Sequence, residues 1–265
     1  MNETSARNGA YWDTIAGKYQ AAVHISLDDF HYGPMIPGDS TLKLLPEELS
    51  GLLCLELGCG AAQNSLFLAK QGAQCSALDI SSRQLEHASS LCQEQGVKID
   101  LRCGAMEDAG EIFPRGHFDL VHSSYALGFS EMPEKVLADA GDLLVPKGVL
   151  LFSVGHPLFA GKWHNSKEGI FLFDYFAPIP DTRCDSSGAE LVSYDYLPVS
   201  STLTAVLDAG LLIEAVLEPQ APFLKKLDLR SAEAAKLPYF SKGWLDYYEQ
   251  LRHVPGVLIV KARKP

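Results

Sequence analysis

Short apolar runs alternate with amphipathic segments through the first 155 residues of the chain. The runs GLLCLEL (51–57) and AQCSALD (73–79) are typical of buried strands, whereas SRQLEHASSLCQEQ (82–95) carries apolar residues at helical spacing. Ser81 can cap that helix, and Gly96 can end it. Further strands are predicted at VKIDLRC, HFDLVHSS and GVLLFSV. This alternation predicts an α/β fold, in which helices cover both faces of a parallel sheet.

The pattern is less regular in the rest of the chain. An amphipathic helix is predicted over 8–22, and residues 156–198 are rich in aromatic residues, Pro and Gly without a helical period. Long irregular segments in compact domains are usually functional, so we expect 156–198 to fold over a site. Further along, LLIEAVLE and GVLIVKARK are typical of strands, and KGWLDYYEQLR of a helix. We expect one domain over 1–265, with cap elements at about 1–48, 156–198 and 219–255.

The charge of the chain is negative overall but uneven. The net charge is −11; residues 1–220 carry 13 Lys/Arg against 29 Asp/Glu, and residues 221–265 carry 9 against 4. Such a protein is poorly suited to general binding of nucleic acid, although its basic C-terminal part leaves a local RNA-facing patch open. No apolar run approaches the roughly 20 residues that cross a bilayer, so we expect no membrane partner.

Cysteine and histidine spacing argues against a secreted or metal-dependent protein. The six cysteines include no Cys-x-x-Cys pair, and the start MNETSARNGA lacks the features of a signal peptide. We therefore expect a cytoplasmic protein with reduced thiols. The eight histidines form no His-Glu-x-x-His motif and no pair four residues apart, and His117 and His122 fall on opposite faces of one strand. We predict no metal site.

A glycine loop and two acidic residues mark successive strand ends. Gly58 and Gly60 follow the first predicted strand, Glu56 lies within it, and Asp79 ends the second. In open parallel sheets, ligands bind beyond the carboxyl ends of the strands, where glycine lets the backbone approach the ligand closely. Dinucleotides bind in this way too, but Gln63 stands where their fingerprint has a small residue. One small molecule held between Glu56 and Asp79 would explain both carboxylates.

Five motifs in order and at matching spacing carry a family resemblance: LELGCG, ALDIS, GAMEDA, FDLVHSSYALGF and LLVPKGVLLFSVGHP. Together they resemble the class I S-adenosylmethionine-dependent methyltransferases, in particular the small-molecule enzymes related to ubiquinone and menaquinone biosynthesis. The resemblance covers about residues 8–157. It implies a Rossmann-like, seven-stranded, mostly parallel sheet with an antiparallel last strand. It also implies S-adenosylmethionine as cofactor and S-adenosylhomocysteine as product.

The resemblance assigns cofactor contacts residue by residue. The backbone of the glycine loop would line the methionine and ribose portion, and the other residues would bind the amino group, the ribose and the adenine or close over the cofactor. The chain departs from the family pattern at Ala62, where glycine is frequent, and at Gly128, where histidine is frequent. The implied cofactor residues are Tyr19, Glu56, Gly58, Cys59, Gly60, Asp79, Ile80, Met106, Glu107 and Ser123.

Methyl transfer from a sulfonium needs alignment, and it needs a base only if the acceptor must lose a proton. His156 follows the fifth predicted strand, where it could take that proton or bind a carboxylate, or else fix its own loop. Tyr125 follows the fourth strand and is expected to face the acceptor. His31, His164 and Tyr175 could line the same pocket, although an ordinary loop role is open to each.

We expect an enzyme that methylates a small organic molecule, and two alternatives stay open. The first is an RNA-modifying methyltransferase that stacks bases on aromatic residues between basic ones. The second is a protein that binds the cofactor without catalysis. The residues behind the RNA alternative are Tyr239, Phe240 and Trp244, with Lys225, Lys226, Lys236 and Lys242.

Overall fold

The computed structural model describes residues 3–164, 167, 169–177, 180–222 and 237–265. The helices are α1 Glu3–Ala22, α2 Asp39–Leu42, α3 Gln63–Lys70, α4 Ser82–Gln95, α5 Ala109–Ile112, α6 Pro133–Leu143, α7 Val199–Asp208, α8 Lys242–Leu245 and α9 Tyr248–His253. The strands are β1 Val23–Ile25, β2 Leu53–Leu57, β3 Gln74–Asp79, β4 Ile99–Cys103, β5 Phe118–Ser124, β6 Leu144–Gly155, β7 Lys162–His164, β8 Gly169–Phe171, β9 Asp181–Cys184, β10 Glu190–Tyr194, β11 Leu212–Leu217, β12 Tyr239–Ser241 and β13 Val257–Arg263.

Seven strands form the central sheet in the order β11-β13-β6-β5-β2-β3-β4. All run parallel except β13, which is antiparallel to both β6 and β11. The predicted α/β architecture with an antiparallel last strand is therefore confirmed. The strand order changes direction between β2 and β5, and open parallel sheets bind their ligands at such a point.

Side chains alternate between the two faces of the sheet and join two apolar clusters. In β2, Leu55 and Leu57 join the cluster formed with α6 and α7, whereas Cys54 joins the opposite cluster, which includes Leu68 of α3. Glu56 shares the face of Cys54 because side chains in a strand alternate with a period of two. The carboxylate of Glu56 is thus buried beneath α3, within the predicted site.

The capping residues at the two ends of α4 act as predicted. The hydroxyl oxygen of Ser81 accepts a hydrogen bond from the backbone N–H of Gln84 at 3.1 Å. Gly96 adopts φ 67°, a left-handed conformation that glycine adopts without strain. The helix therefore begins directly after Asp79 and Ile80, which fixes the acidic end of β3 against the start of α4.

Two predictions about the rest of the chain differ from the structure. Residues 156–198 contain two antiparallel hairpins, β7 with β8 and β9 with β10. The second hairpin escaped prediction because β9 is exposed along its length and lacks the alternation that marks a strand. The segment predicted as one helix at KGWLDYYEQLR forms two short helices, α8 and α9. Within the described ranges, no helix combines the length and apolar character needed to cross a bilayer.

Candidate active site

A large cavity opens at the carboxyl ends of β2, β3 and β5. Its volume is about 1310 Å³, whereas ligand pockets usually measure about 300–1,000 Å³, so it has room for two molecules. We call the part formed by the glycine loop and its acids the loop half, and the part formed by cap aromatics the aromatic half. The loop half includes Glu56, Gly58, Gly60 and Asp79, and the aromatic half includes Phe159, Trp163, Tyr196, Tyr239 and Trp244.

The glycine loop follows β2 and depends on conformations that favour glycine. Gly58 has φ 70° and Gly60 has φ 54°. A Cβ atom on Gly58 would lie 2.5 Å from the Cβ of Ala126, closer than such atoms approach, whereas a Cβ on Gly60 would meet nothing within 4 Å. Position 58 is therefore restricted by both conformation and space, and position 60 by conformation alone.

Asp79 connects the glycine loop to the start of α4. One carboxylate oxygen accepts a hydrogen bond from the N–H of Gly60 at 2.7 Å, and the other accepts one from the N–H of Ser81 at 2.8 Å. Burial raises the pKa of this carboxyl to about 6, against the opposing effect of these backbone bonds. Each oxygen keeps a further lone pair, so Asp79 can also accept hydrogen bonds from a ligand in the cavity.

Glu56 is held beneath the first turn of α3. Its carboxylate accepts hydrogen bonds from the Ser65 backbone N–H at 3.1 Å and from the Ser65 hydroxyl at 2.6 Å. Burial raises the pKa of Glu56 to about 7, and the Ser65 hydrogen bonds act in the opposite direction. Glu56 thus joins the loop to α3 and leaves one oxygen for a ligand.

The wall beyond Asp79 is formed by the turn after β4 and the segment after β5. Met106 and Glu107 line the cavity, and the hydroxyl of Ser130 donates a hydrogen bond to the carboxylate of Glu107. Phe129 lines the same wall, and its carbonyl accepts a hydrogen bond from Asn8 of α1 at 2.9 Å. This wall offers apolar faces with polar groups at their edge, a suitable surface for a planar ring.

Helix α1 covers the loop half through polar contacts that the sequence did not predict. Asp13 accepts hydrogen bonds from the Ser81 hydroxyl at 2.7 Å and from the Arg83 N–H at 3.0 Å. Gln20 accepts a hydrogen bond from Gln63 at 2.9 Å and donates one to Gln84 at 2.8 Å. The helix is thereby fixed above the start of both α3 and α4.

Comparison with known proteins supports the family resemblance that the sequence motifs indicated. A family profile described as "Methyltransferase domain" matches residues 55–152. An uncharacterized protein of Haemophilus influenzae is 33% identical over 241 residues, which are 87% of this chain and 87% of that protein. A ubiquinone biosynthesis O-methyltransferase of Chromobacterium violaceum is 34% identical over 105 residues, which are 40% of this chain and 45% of that enzyme. The chain thus spans under half the length of this curated enzyme.

A solved structure extends the comparison to the fold. The S-adenosylmethionine-dependent methyltransferase from Mesorhizobium loti superposes with a TM-score of 0.64 at 23% identity, covering 85% of this chain and 96% of that one. The chain belongs to the class I S-adenosylmethionine-dependent methyltransferases. Its cofactor is S-adenosylmethionine, and the site fits that molecule: buried carboxylates stand at two successive strand ends, and glycine replaces side chains between them.

The methyltransferase cavity brings together all the predicted cofactor residues except Ser123. The hydroxyl of Ser123 donates a hydrogen bond to the carbonyl of Leu57 at 2.8 Å, and the side chain is buried away from the cavity. The next residue, Ser124, lines the cavity instead. The residues brought together are Tyr19, Glu56, Gly58, Cys59, Gly60, Asp79, Ile80, Met106 and Glu107.

The predicted acceptor residues divide into two pairs. His31 and Tyr125 line the cavity. His164 and Tyr175 do not: His164 is exposed in β7, and the hydroxyl of Tyr175 accepts a hydrogen bond from the N–H of Val199 at 3.2 Å. His164 therefore belongs to the surface of the β7–β8 hairpin, and Tyr175 contacts the start of α7.

His156, the predicted catalytic residue, is buried but lies outside the cavity lining. Its Nδ1 atom accepts a hydrogen bond from the N–H of Leu158 at 3.2 Å, and its Nε2 atom is 2.7 Å from a carboxylate oxygen of Glu218. Burial lowers the pKa of His156, and Glu218 opposes that effect. Both ring nitrogens are thus occupied in holding the turn after β6, the loop-fixing role that the sequence had left open.

One of the two departures from the family pattern, Gly128, has a structural explanation, whereas the alanine at position 62 has none. A Cβ on Gly128 would lie 2.3 Å from the ring of Tyr194, so the cap aromatic occupies the space of a side chain at this position. Tyr194 stacks on Tyr125 with ring centroids 5.4 Å apart, and its hydroxyl accepts a hydrogen bond from the N–H of Gly155 at 2.6 Å. Ala62 has φ 57°, a conformation in which glycine would be less strained.

No group of three or more His, Cys, Asp or Glu side chains in the described ranges is arranged to hold a metal ion. The sequence missed Tyr194, Tyr196, Asp13 and Gln20, because nothing local marks them. Each contributes through contacts with distant segments, which only the fold reveals.

Proposed function

We propose that the enzyme transfers the methyl group of S-adenosylmethionine to a small organic molecule with an aromatic or apolar body. The cofactor would occupy the loop half of the cavity, and the acceptor would occupy the aromatic half. The support is the shape and chemistry of the cavity, which exceeds the usual volume of a single ligand pocket and changes from carboxylates to aromatic rings.

The cofactor roles follow from the positions of the polar groups. Asp79 would accept hydrogen bonds from the ribose hydroxyls, and Glu56 would bind the amino group directly or through water. The turn that carries Met106 and Glu107 would hold the adenine, together with Ile80. Both carboxylates already accept backbone bonds, so they are fixed before the cofactor binds and lose little freedom on binding.

The acceptor would bind among aromatic side chains of the cap. Trp244 lies at the centre of this group, with ring centroids 5.8 Å from Phe159, 5.9 Å from Tyr125 and 5.9 Å from Tyr247. Aromatic surfaces of this kind bind planar, apolar molecules and exclude water. Bound S-adenosylmethionine supplies an electrophilic methyl group on a sulfonium, and the role of the pocket is to align the acceptor with it.

The RNA alternative has less support. Tyr239 and Phe240 are buried, so they present no outer surface on which a base could stack. Trp244 is half-buried and lines the cavity. Lys242 is exposed, whereas Lys225, Lys226 and Lys236 lie outside the described residues.

Transfer of an isotope-labelled methyl group tests the proposal against both alternatives. The protein is incubated with methyl-deuterated S-adenosylmethionine and either a small-molecule cell extract or unmodified RNA, and mass spectrometry locates the label. We expect labelled small molecules and unlabelled RNA. Label in RNA alone would favour the RNA-modifying alternative. Binding of S-adenosylhomocysteine without any labelled product would favour the non-catalytic alternative.

A matched pair of variants tests the position of the acceptor. Trp244→Ala removes a side chain of the aromatic half, whereas Phe176→Ala removes one that is 81% exposed and outside the cavity lining. Losing apolar contact of this size costs about 1.5–3 kcal/mol, so kcat/KM should fall roughly 10- to 150-fold for Trp244→Ala. Phe176→Ala should match the parent. Equal activity of the two variants would place the acceptor elsewhere.

A further inference from the structure

His31 is fixed in place by its backbone. Its N–H donates a hydrogen bond to the Asn64 side-chain oxygen at 2.9 Å. Its carbonyl accepts two hydrogen bonds at 2.9 Å, one from the Asn64 side-chain nitrogen and one from the Ser124 hydroxyl. Asn64 belongs to α3 and Ser124 ends β5. The loop that carries His31 is therefore tied to the two elements that shape the floor of the cavity.

The ring of His31, in contrast, has no polar partner in the described part of the chain. The side chain lines the cavity with only 7% of the residue exposed, and its Nδ1 atom is buried without a hydrogen bond. No hydrogen bond to Nε2 is present among the described residues either. His156 differs, since both of its nitrogens are paired. Buried polar groups are normally paired, so a rigidly held imidazole without a partner points to a ligand as its partner.

His31 also lies where the two halves of the cavity meet. Its ring centroid is 5.3 Å from that of Tyr239 in the aromatic half. Its backbone carbonyl is bonded to Ser124, the last residue of β5, and the neighbouring strand β2 carries Glu56 of the loop half. A group at this boundary would face both the proposed cofactor site and the proposed acceptor site. The histidine frequent in the family at position 128 is absent, and the ring of Tyr194 fills that space.

We propose that His31 is a catalytic residue that takes a proton from the acceptor, and that the acceptor nucleophile is a hydroxyl or an N–H group. This inference rests on the proposed function above and adds the chemical class of the attacking group. An acceptor without a transferable proton, such as a thioether or a tertiary amine, does not need such a residue.

In this reaction, a lone pair of the acceptor oxygen or nitrogen forms the new bond to the methyl carbon. The bond between that carbon and sulfur breaks, and its electron pair stays on sulfur, giving the neutral thioether. The proton of the acceptor moves to the ring of His31, so the positive charge passes from sulfonium to imidazolium and the charge within the cavity is unchanged.

The burial of His31 suits this role. Burial lowers the pKa of His31 to about 3, so the imidazole is neutral and has a free lone pair at physiological pH. The proton passes from the imidazolium to water when the product leaves.

Two substitutions separate proton transfer from shape. His31→Gln retains a hydrogen-bonding group near the position of Nε2 but cannot accept a proton, and His31→Phe keeps only a ring. His24→Gln is the matched control, because His24 is exposed in β1 and does not line the cavity. Each protein is incubated with methyl-deuterated S-adenosylmethionine and the small-molecule extract, and calorimetry with S-adenosylhomocysteine monitors the cofactor site.

We expect both His31 variants to form labelled product at least 100-fold more slowly than the parent, with unchanged affinity for S-adenosylhomocysteine. His24→Gln should match the parent. Rates of His31→Gln within threefold of the parent would overturn the inference and leave the proposed function intact. The product of the parent protein gives a second test that requires no variant: a labelled ether or secondary or tertiary amine supports the inference, and a labelled sulfonium or quaternary ammonium ion overturns it. Absence of labelled small molecules with the parent would overturn the proposed function, and this inference with it.

Discussion

The two halves of the cavity are built in different ways. The loop half comes from consecutive strand–helix units, and its critical contacts join backbone groups to carboxylates, as between Gly60 and Asp79. The aromatic half is assembled from segments far apart in the chain, such as Phe159 and Trp244, whose rings pack 5.8 Å apart. Backbone geometry in the first half tolerates little change, whereas ring packing in the second can be altered gradually. The first half therefore suits a constant cofactor and the second a variable acceptor.

Gly58→Ala should disrupt the loop half and give the largest loss of cofactor affinity. The new Cβ would lie 2.5 Å from the Cβ of Ala126, and φ 70° is unfavourable for alanine. Overpacking costs about 1–3 kcal/mol and a left-handed residue about 1–2 kcal/mol, so the free energy of binding S-adenosylhomocysteine should weaken by about 2–5 kcal/mol in calorimetry.

Two further variants separate the crowding at position 58 from its conformation. Gly60→Ala introduces a similar φ penalty but meets nothing within 4 Å, so it should cost about 1–2 kcal/mol only. Adding Ala126→Gly to Gly58→Ala removes the crowding and should recover part of the affinity. If Gly58→Ala and Gly60→Ala lose the same affinity, crowding against Ala126 has no role.

The pH dependence of cofactor binding should sharpen the comparison, because the buried carboxylates that line the cavity in the described part of the chain, Glu56 and Asp79, both belong to the loop half. Burial raises the pKa of Glu56 from its ordinary 4.5 to about 7, and that of Asp79 from 3.8 to about 6. The ribose hydroxyls and the amino group bind the ionised forms. Affinity for S-adenosylhomocysteine should therefore weaken as pH falls through 7 and 6, by up to about tenfold per pH unit for each group.

The stability of the cofactor-free protein should respond to pH in the opposite direction, falling as pH rises. A carboxyl whose pKa is raised on folding contributes stability that is fully present below its unfolded pKa and is lost as pH rises through the folded pKa. The melting temperature without cofactor should thus lose this contribution between about pH 4 and 7, and the cofactor-induced rise in melting temperature should grow. Asp79→Asn should remove the step near pH 6; a profile unchanged by that substitution would contradict the assignment to Asp79.

Ala62→Gly should give the smallest effect on stability. Alanine at φ 57° is strained by about 1–2 kcal/mol, whereas glycine costs about 0.5–1 kcal/mol of unfolded-state entropy and loses a buried methyl group worth about 0.8 kcal/mol. These contributions nearly cancel, so the free energy of unfolding in urea denaturation should change by less than about 1 kcal/mol. Ala61→Gly provides the control, since Ala61 is equally buried but has no positive φ, and the substitution there should destabilise the fold by about 1–2 kcal/mol. Equal destabilisation by the two substitutions would show that strain at position 62 is negligible.

The loop half was largely predictable from sequence because its determinants are local. A short apolar run, two glycines and the acid at the next strand end specify Gly58, Gly60 and Asp79 with no knowledge of distant contacts. Ser123 is the one predicted cofactor residue that lies outside the cavity, and its neighbour Ser124 lines the cavity instead. Side chains in a strand alternate between faces, so an error of one residue exchanges Ser124 for Ser123.

The aromatic half was less predictable because its members carry no local pattern. Of the aromatics in 156–198 expected to cover the pocket, Trp163 lines it, whereas Phe171, Phe173 and Phe176 are exposed. Tyr196, from the same segment, lines it without having been singled out. Composition indicated that the segment contributes a wall, but the hairpins decide which rings face the cavity, and the exposed strand β9 carries no alternation from which the second hairpin could be predicted.

Helix α1 is attached to the loop half largely by polar groups, together with the packing of Trp12 on Phe129. Its fully buried residues are Ser5, Asn8, Gly9 and Ala16, so its buried face carries little apolar surface. A hydrogen bond exchanged for one with water costs only about 0.5–1.5 kcal/mol, so the bonds from Asp13 and Gln20 can open while the sheet stays folded. We expect S-adenosylhomocysteine to dissociate through this local opening. The rate at which α1 opens, and not the rate of methyl transfer, would then set the residence time of S-adenosylhomocysteine.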